Sequence, residues 1–178
     1  MDAQPRSYPQ FCNVTLLGPD GGTPGGDGAD EMIRLREGTG GDFRNVLILN
    51  GNGVGLRLKD QPTIDLLADA PAASGPNSVY FSPFSIIYGC KEAALHEDIA
   101  SLMTVHEIDP GLGAIDMTQG SESIDPLPQT GGEALKAENA DELPDDPFFD
   151  SSANYVGAFG EDLWLEGWSW LDENGQLR

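Results

Sequence analysis

The chain has 178 residues, enough for one domain with a real core, and 30 acidic residues against 9 basic ones leave a formal net charge of −21. That balance excludes phosphate-rich partners, because nucleic acid and anionic membrane surfaces repel it, and no apolar run reaches the roughly 20 residues that a membrane helix needs. A hydrophobic content of 39% with 23 glycines and 13 prolines describes a loop-rich folded protein, not a disordered one.

Residues 10 to 18 read as a strand with Phe11, Val14 and Leu16 as core positions. The following stretch, Gly18 to Gly28, is built of residues that favour turns and bury little, so it reads as a loop. Met32 to Arg36 alternates apolar and basic residues, the pattern of a half-buried strand. Gly38-Thr39-Gly40-Gly41 then turns the chain into a strand from Phe43 to Leu49, whose Val46-Leu47-Ile48-Leu49 run is apolar on both faces and so predicts cover on both sides. Asn50-Gly51-Asn52-Gly53 is a tight turn leading to the next strand, Val54 to Lys59.

Three runs say nearly the same thing: Asn13 to Gly18, Asn45 to Gly51 and Phe84 to Gly89 are short β-rich segments closed by glycine. Ile33-Arg34-Leu35-Arg36 recurs 23 residues later as Leu56-Arg57-Leu58-Lys59. A repeat of that length, with strands and turns but no intervening helix, predicts an all-β fold of stacked coils, a short parallel β-helix. An antiparallel β-sandwich joined by Asn-Gly hairpins also fits locally. Two departures interrupt the coils. Thr63 to Asn77 is an insertion in which Ile64, Leu66 and Leu67 predict a short helical turn. Residues 91 to 103 place Leu95, Ile99 and Leu102 at helical spacing, which predicts the one real helix, packed on or near one end of the stack.

The acidic loops are the first candidate chemistry. Asp20, Asp27, Asp30 and Glu31 surround glycines, and flexible oxygen-rich loops suit calcium, although no known calcium-loop spacing is matched and a solvated acidic loop is the plainer reading. Asp141, Glu142, Asp145, Asp146 and Asp150 form a second cluster of the same kind. Arg34 and Arg57 are spaced to stack on one face, which a polysaccharide lyase could use beside carboxylates and which surface charge balance explains as well. His96 and His106 have no nucleophile set against them by any motif, and Gly51-Asn52-Gly53-Val54-Gly55 lacks the helix a nucleotide loop requires. The two cysteines, Cys12 and Cys90, each border a repeated strand, so the sequence allows one disulfide or two buried thiols. No Cys/His set suits zinc. Half of the aromatic residues fall late in the chain: Phe148, Phe149, Tyr155, Phe159, Trp164, Trp168 and Trp170. They suit either a stacking platform for sugar rings or an apolar cap on an open end of the coils.

The tail also carries a resemblance. Asp125-Pro126-Leu127-Pro128 through Leu135, Phe148-Phe149-Asp150, Asn154 to Phe159 and Trp164-Leu165-Glu166-Gly167-Trp168 resemble the closing signature, FFD then YxGAF then WxxGW, of bacterial secreted or surface right-handed parallel β-helix proteins of the pectin-lyase-like type. Pro9 to Leu16 and Arg36 to Asn45 resemble coil segments of the same group. The resemblance implies a right-handed β-helix over residues 1–124 with an extended tail, 125–178, capping the same domain. It also implies that the chain is the C-terminal part of a longer exported protein, since Met1 to Arg6 lacks the pattern of a signal peptide. The group supplies no catalytic residues to transfer. The resulting expectation is a non-enzymatic extracellular structural, adhesion or assembly module, with a polysaccharide lyase, a hydrolase or a carbohydrate-binding module as the alternative. Expected partners are further copies of the chain, other surface proteins or polysaccharide. No cofactor is expected, with calcium as the one candidate ion.

Overall fold

The computed structural model describes residues 6–18, 31–70, 77–118 and 122–178. The strands are β1 (Gln10–Leu17), β2 (Ile33–Leu35), β3 (Gly41–Leu49), β4 (Val54–Leu58), β5 (Val79–Phe81), β6 (Ile86–Tyr88), β7 (Ala93–Leu95), β8 (Ile115–Asp116) and β9 (Ser123–Ile124). Two single-turn helices, α1 (Gln61–Ile64) and α2 (Trp170–Glu173), accompany them. The chain is therefore mostly β. From β1 to β5 successive strands alternate between two parallel sheets, one ordered β1-β3-β5 with β6 also on β3, the other ordered β2-β4-β7, while β8 and β9 pair antiparallel. The Asn50-Gly51 turn joins strands of different sheets and makes no hairpin, which sets aside the antiparallel arrangement there.

The sequence repeats become register. Ile33, Arg34 and Leu35 of β2 lie opposite Leu56, Arg57 and Leu58 of β4, and the glycine-closed runs of β1, β3 and β6 lie side by side. Between the two sheets sits the main core, with Phe43, Val46, Ile48 and Phe81 facing Leu35, Leu56 and Leu58. Leu47 and Leu49 point the other way into a second cluster with Ile86, Ala134 and Val156. The double-faced apolar run of β3 is thus covered on both sides, and all nine of its residues are buried.

A bulge interrupts β1 and β3 at the same level. Asn13 and Asn45 have φ of 54° and 53°, the left-handed region that asparagine tolerates better than other side-chain-bearing residues, and the pairing skips from Cys12–Arg44 to Val14–Val46. In the next layer the strand is split at this level into β5 and β6, where the Ser85 hydroxyl accepts the Val46 N–H at 3.2 Å.

Residues 91–103 do not form the expected helix. Ala93–Leu95 pair with β4, and turns follow from residue 97 to 102. Helical spacing misled because Leu95 packs from a strand, Ile99 enters the core fully buried from a turn, and Leu102 is half exposed. The end of the segment and the residues after it pack against the same core through Met103 and Val105. The short turn expected near Ile64 is α1, which starts earlier: the Asp60 carboxylate accepts the Thr63 N–H at its first turn.

Candidate functional site

Residues 155–158 of the aromatic tail are tied to the outer face of the β1–β3 sheet, in part by polar side chains at and beside the strand bulge. Asn13 Nδ2 donates to the Tyr155 carbonyl at 2.7 Å, and the Thr15 hydroxyl accepts the Ala158 N–H at 2.8 Å. The Gly157 N–H reaches the Asn45 carbonyl at 2.8 Å, and with φ of 92° Gly157 brings its backbone against Thr15 and Leu47, where a Cβ would lie 2.7 Å from the hydroxyl. Val156 and Phe159 are buried by this docking.

Next to the asparagines lies a buried polar network. Arg44 clamps Asp42 through Nε at 2.9 Å and Nη2 at 2.7 Å, and its remaining nitrogen donates to the Glu142 carbonyl at 2.6 Å. Tyr80 donates its hydroxyl to Asp141 at 2.6 Å. Burial, followed by that carboxylate, pushes the Tyr80 hydroxyl up to about 12, and the Asp42 hydrogen bonds raise the Arg44 guanidinium further. Each group is held in its ordinary neutral or charged form by a specific partner. The network therefore ties the 141–142 segment to the sheet, and sequence reading missed it because its partners lie as many as 98 positions apart. The one available signal was the asparagine preceding valine in two of the repeated runs.

Asp141, Glu142, Asp145 and Asp146 of the second acidic cluster line one hollow of about 630 Å³, but several carboxylates of the cluster are engaged locally. Asp141 serves Tyr80, Asp146 accepts the Phe148 N–H, and Asp150 accepts from Ser152. Among the described residues no group of three or more His, Cys, Asp or Glu side chains is placed to hold a metal ion. Asp20, Asp27 and Asp30 lie outside the described residues. Glu31 is described and is bound by arginines: its side chain, 6% exposed, pairs with Arg34 and, at 3.1 Å, with Arg57. Burial alone would raise its pKa, but the two guanidinium hydrogen bonds outweigh burial and hold it below the usual carboxylate value. Arg34 and Arg57 do stack in register, and Arg57 and His96 both reach Asp98, forming a charged row on the outer face of the second sheet.

Cys12 and Cys90 are free thiols. Cys12 sits beside Asp42, Arg44 and Asp141 on the tail side of its sheet, whereas Cys90 packs against the core between the sheets. Burial, then Asp42, pushes the Cys12 thiol up to about 11.

The expected aromatic residues divide into two kinds. Phe159 is buried and Tyr155 partly so, and they belong to the docked segment. Trp164, Trp168 and Trp170 are 51%, 62% and 65% exposed. Phe159, Trp164 and Trp168 form a stacked ladder with centroids 5.5 and 5.8 Å apart and planes within 20°. Each ladder indole donates its Nε1–H to a backbone carbonyl, Trp164 to Ala158 at 2.9 Å and Trp168 to Trp164 at 2.6 Å, so the rings are fixed with their polar edges spent and Trp168 exposed at the outer end. Glu161, three residues before Trp164, lines a hollow of about 530 Å³ with Asp125, Gln129 and Thr130. Such a surface suits a neutral polyhydroxylated or apolar partner and repels anions.

No protein-family model, curated protein or solved structure matches the chain.

Proposed function

We propose that the chain is a short right-handed parallel β-helix acting as a non-enzymatic structural, adhesion or assembly module of a bacterial surface protein. The observation that carries the reading is the in-register stacking of like residues between layers: Phe11 on Phe43 on Phe81, Asn13 level with Asn45, and Arg34 beside Arg57. Alternation of successive parallel strands between two sheets is what coils of a β-helix produce, and like-on-like stacking is how such a scaffold holds its layers together. The net charge of −21 suits a module exposed to salt and divalent cations, and the closing tail motif supports the surface location through its resemblance to exported β-helix proteins.

A second reading, a carbohydrate-binding module, is favoured by the Phe159–Trp164–Trp168 ladder and the polar hollow that Glu161 lines. One experiment separates these readings from a lyase or hydrolase. The protein is incubated with neutral and acidic polysaccharides while reducing ends, unsaturated uronate absorbance and retention on insoluble polymers are measured. A scaffold gives no product and no retention; retention lost in Trp168→Ala establishes the carbohydrate module. Product release abolished by Glu31→Gln or Arg57→Gln would overturn the non-enzymatic reading.

A further inference from the structure

The stack has two unlike ends. Beyond β5 and β6 in the first sheet, Leu67 bridges to Val79 and His106 to Ile86, and Ile99 is buried in the core. At the other end, β1 pairs with β3 alone among the described residues, and its eight residues are exposed or half-exposed although five are apolar by type. The phenylalanine ladder shows the same opening: Phe81 and Phe43 are 3% and 7% exposed, while Phe11, the outermost ring, is 48% exposed. A strand edge left in this state is a template for another strand, and proteins usually guard such edges with lysine or other charges. Among the described residues no charge of its own guards the β1 edge. Ser7 to Gly18 contains no Asp, Glu, Lys or Arg, in a chain whose net charge is −21.

We propose that two copies of this chain join head to head through the free edge of β1, forming a closed dimer; the proposal rests on the assembly reading above and names its partner and contact. Two molecules of charge −21 repel over most of their surfaces, so the neutral β1 edge is where a second copy approaches with least repulsion. The same strand from the second copy brings no charge to the contact. It also brings its own Phe11 and its own unpaired backbone groups, which makes the interface self-complementary. Growth is expected to stop at two because the far edge of β1's own sheet already carries Leu67 on Val79 and His106 on Ile86, so a β1 strand added head to tail, which would build a fibre, meets those bridges.

The test is the mass of the full chain by sedimentation and light scattering from low to high micromolar concentration, at physiological and at high salt. The expected species is twice the 19.0 kDa monomer, strengthened by salt because screening weakens the repulsion between copies. Phe11→Lys and, with the ring retained, Gln10→Lys each put a charge on the edge and weaken the dimer about tenfold or more, while Trp168→Ala leaves it unchanged. Far-UV circular dichroism identifies which variants fold, and Gln10→Lys decides if Phe11→Lys does not. A monomer at every concentration and salt, an open series of larger oligomers, or a dimer indifferent to the folded lysine variants overturns the proposal. A monomer that releases no product from polysaccharide would sink the dimer alone and leave the module reading in place.

Discussion

Asn45 and the backbone of Asp141 exchange two hydrogen bonds: Asn45 Nδ2 donates to the Asp141 carbonyl at 3.1 Å and Oδ1 accepts the Asp141 N–H at 2.7 Å. A single fully buried side chain thereby does what a strand residue does, pairing with a segment 96 positions away. The same residue sits at φ 53°, a conformation that alanine resists. Asn45→Ala combines an unpaired buried N–H with that backbone strain and is expected to cost about 3 kcal/mol in urea unfolding. Asn45→Gly relieves the backbone strain but not the lost bonds, so it is expected to lie about 1 kcal/mol above the alanine variant. Equal losses in the two variants would show that the conformation carries no part of the effect.

How much of this was legible depends on distance along the chain. The echo of Ile33-Arg34-Leu35 in Leu56-Arg57-Leu58 is a local periodicity, and it became strand register. Val46-Leu47-Ile48-Leu49 announced cover on both faces because strand side chains alternate, and two clusters receive them. Residues 91–103 were misread because a strand followed by turns buries Leu95 and Ile99 as well as a helix would. The Asp141 latch was not legible at all. Asp141 reads as one acid among many, and only the fold brings Asn45 and Tyr80 to it. The tail aromatics signalled a surface to be covered but gave no means of separating Phe159, which covers, from Trp168, which stays exposed.

That separation has a measurable consequence. Phe159 is 6% exposed, so Phe159→Ala opens a cavity beneath the tail and is expected to cost about 3 kcal/mol. Trp168 stands outside the fold with one ring contact and one hydrogen bond, so Trp168→Ala is expected to cost less than about 1 kcal/mol. Denaturant midpoints of the two variants, measured with unchanged slopes, test the difference. A large loss from Trp168→Ala would mean that the indole covers core after all.

The thiols give a second check. Cys12 and Cys90 lie on opposite sides of the β1–β3 sheet, so no bridge spans them, and burial raises both thiols above their ordinary values. Titration with a chromogenic disulfide in mildly alkaline buffer is therefore expected to be slow on the folded chain. It should reach two thiols per chain once the chain is unfolded, with or without prior reductant. A melting temperature lowered by reductant would instead require a disulfide.

Glu31 ties stability to pH. Its carboxylate, 6% exposed, holds Arg34 and Arg57 of two neighbouring strands together, and their hydrogen bonds keep its folded pKa below the ordinary 4.5. A depressed folded value means that the unfolded chain takes up the proton first as the solution is acidified. The stabilisation is therefore complete above the unfolded pKa and is lost as pH falls through the folded one. Glu31→Gln keeps the shape and removes the charge, and it is expected to cost about 2 kcal/mol near neutral pH. Because the variant has no proton to gain, the gap between it and the parent should shrink steadily in acid, and should be nearly closed where the parent's Glu31 is itself protonated. Urea unfolding of both proteins across the acid range measures this gap. A gap that stays constant with pH would assign the loss to packing and not to the arginine pair.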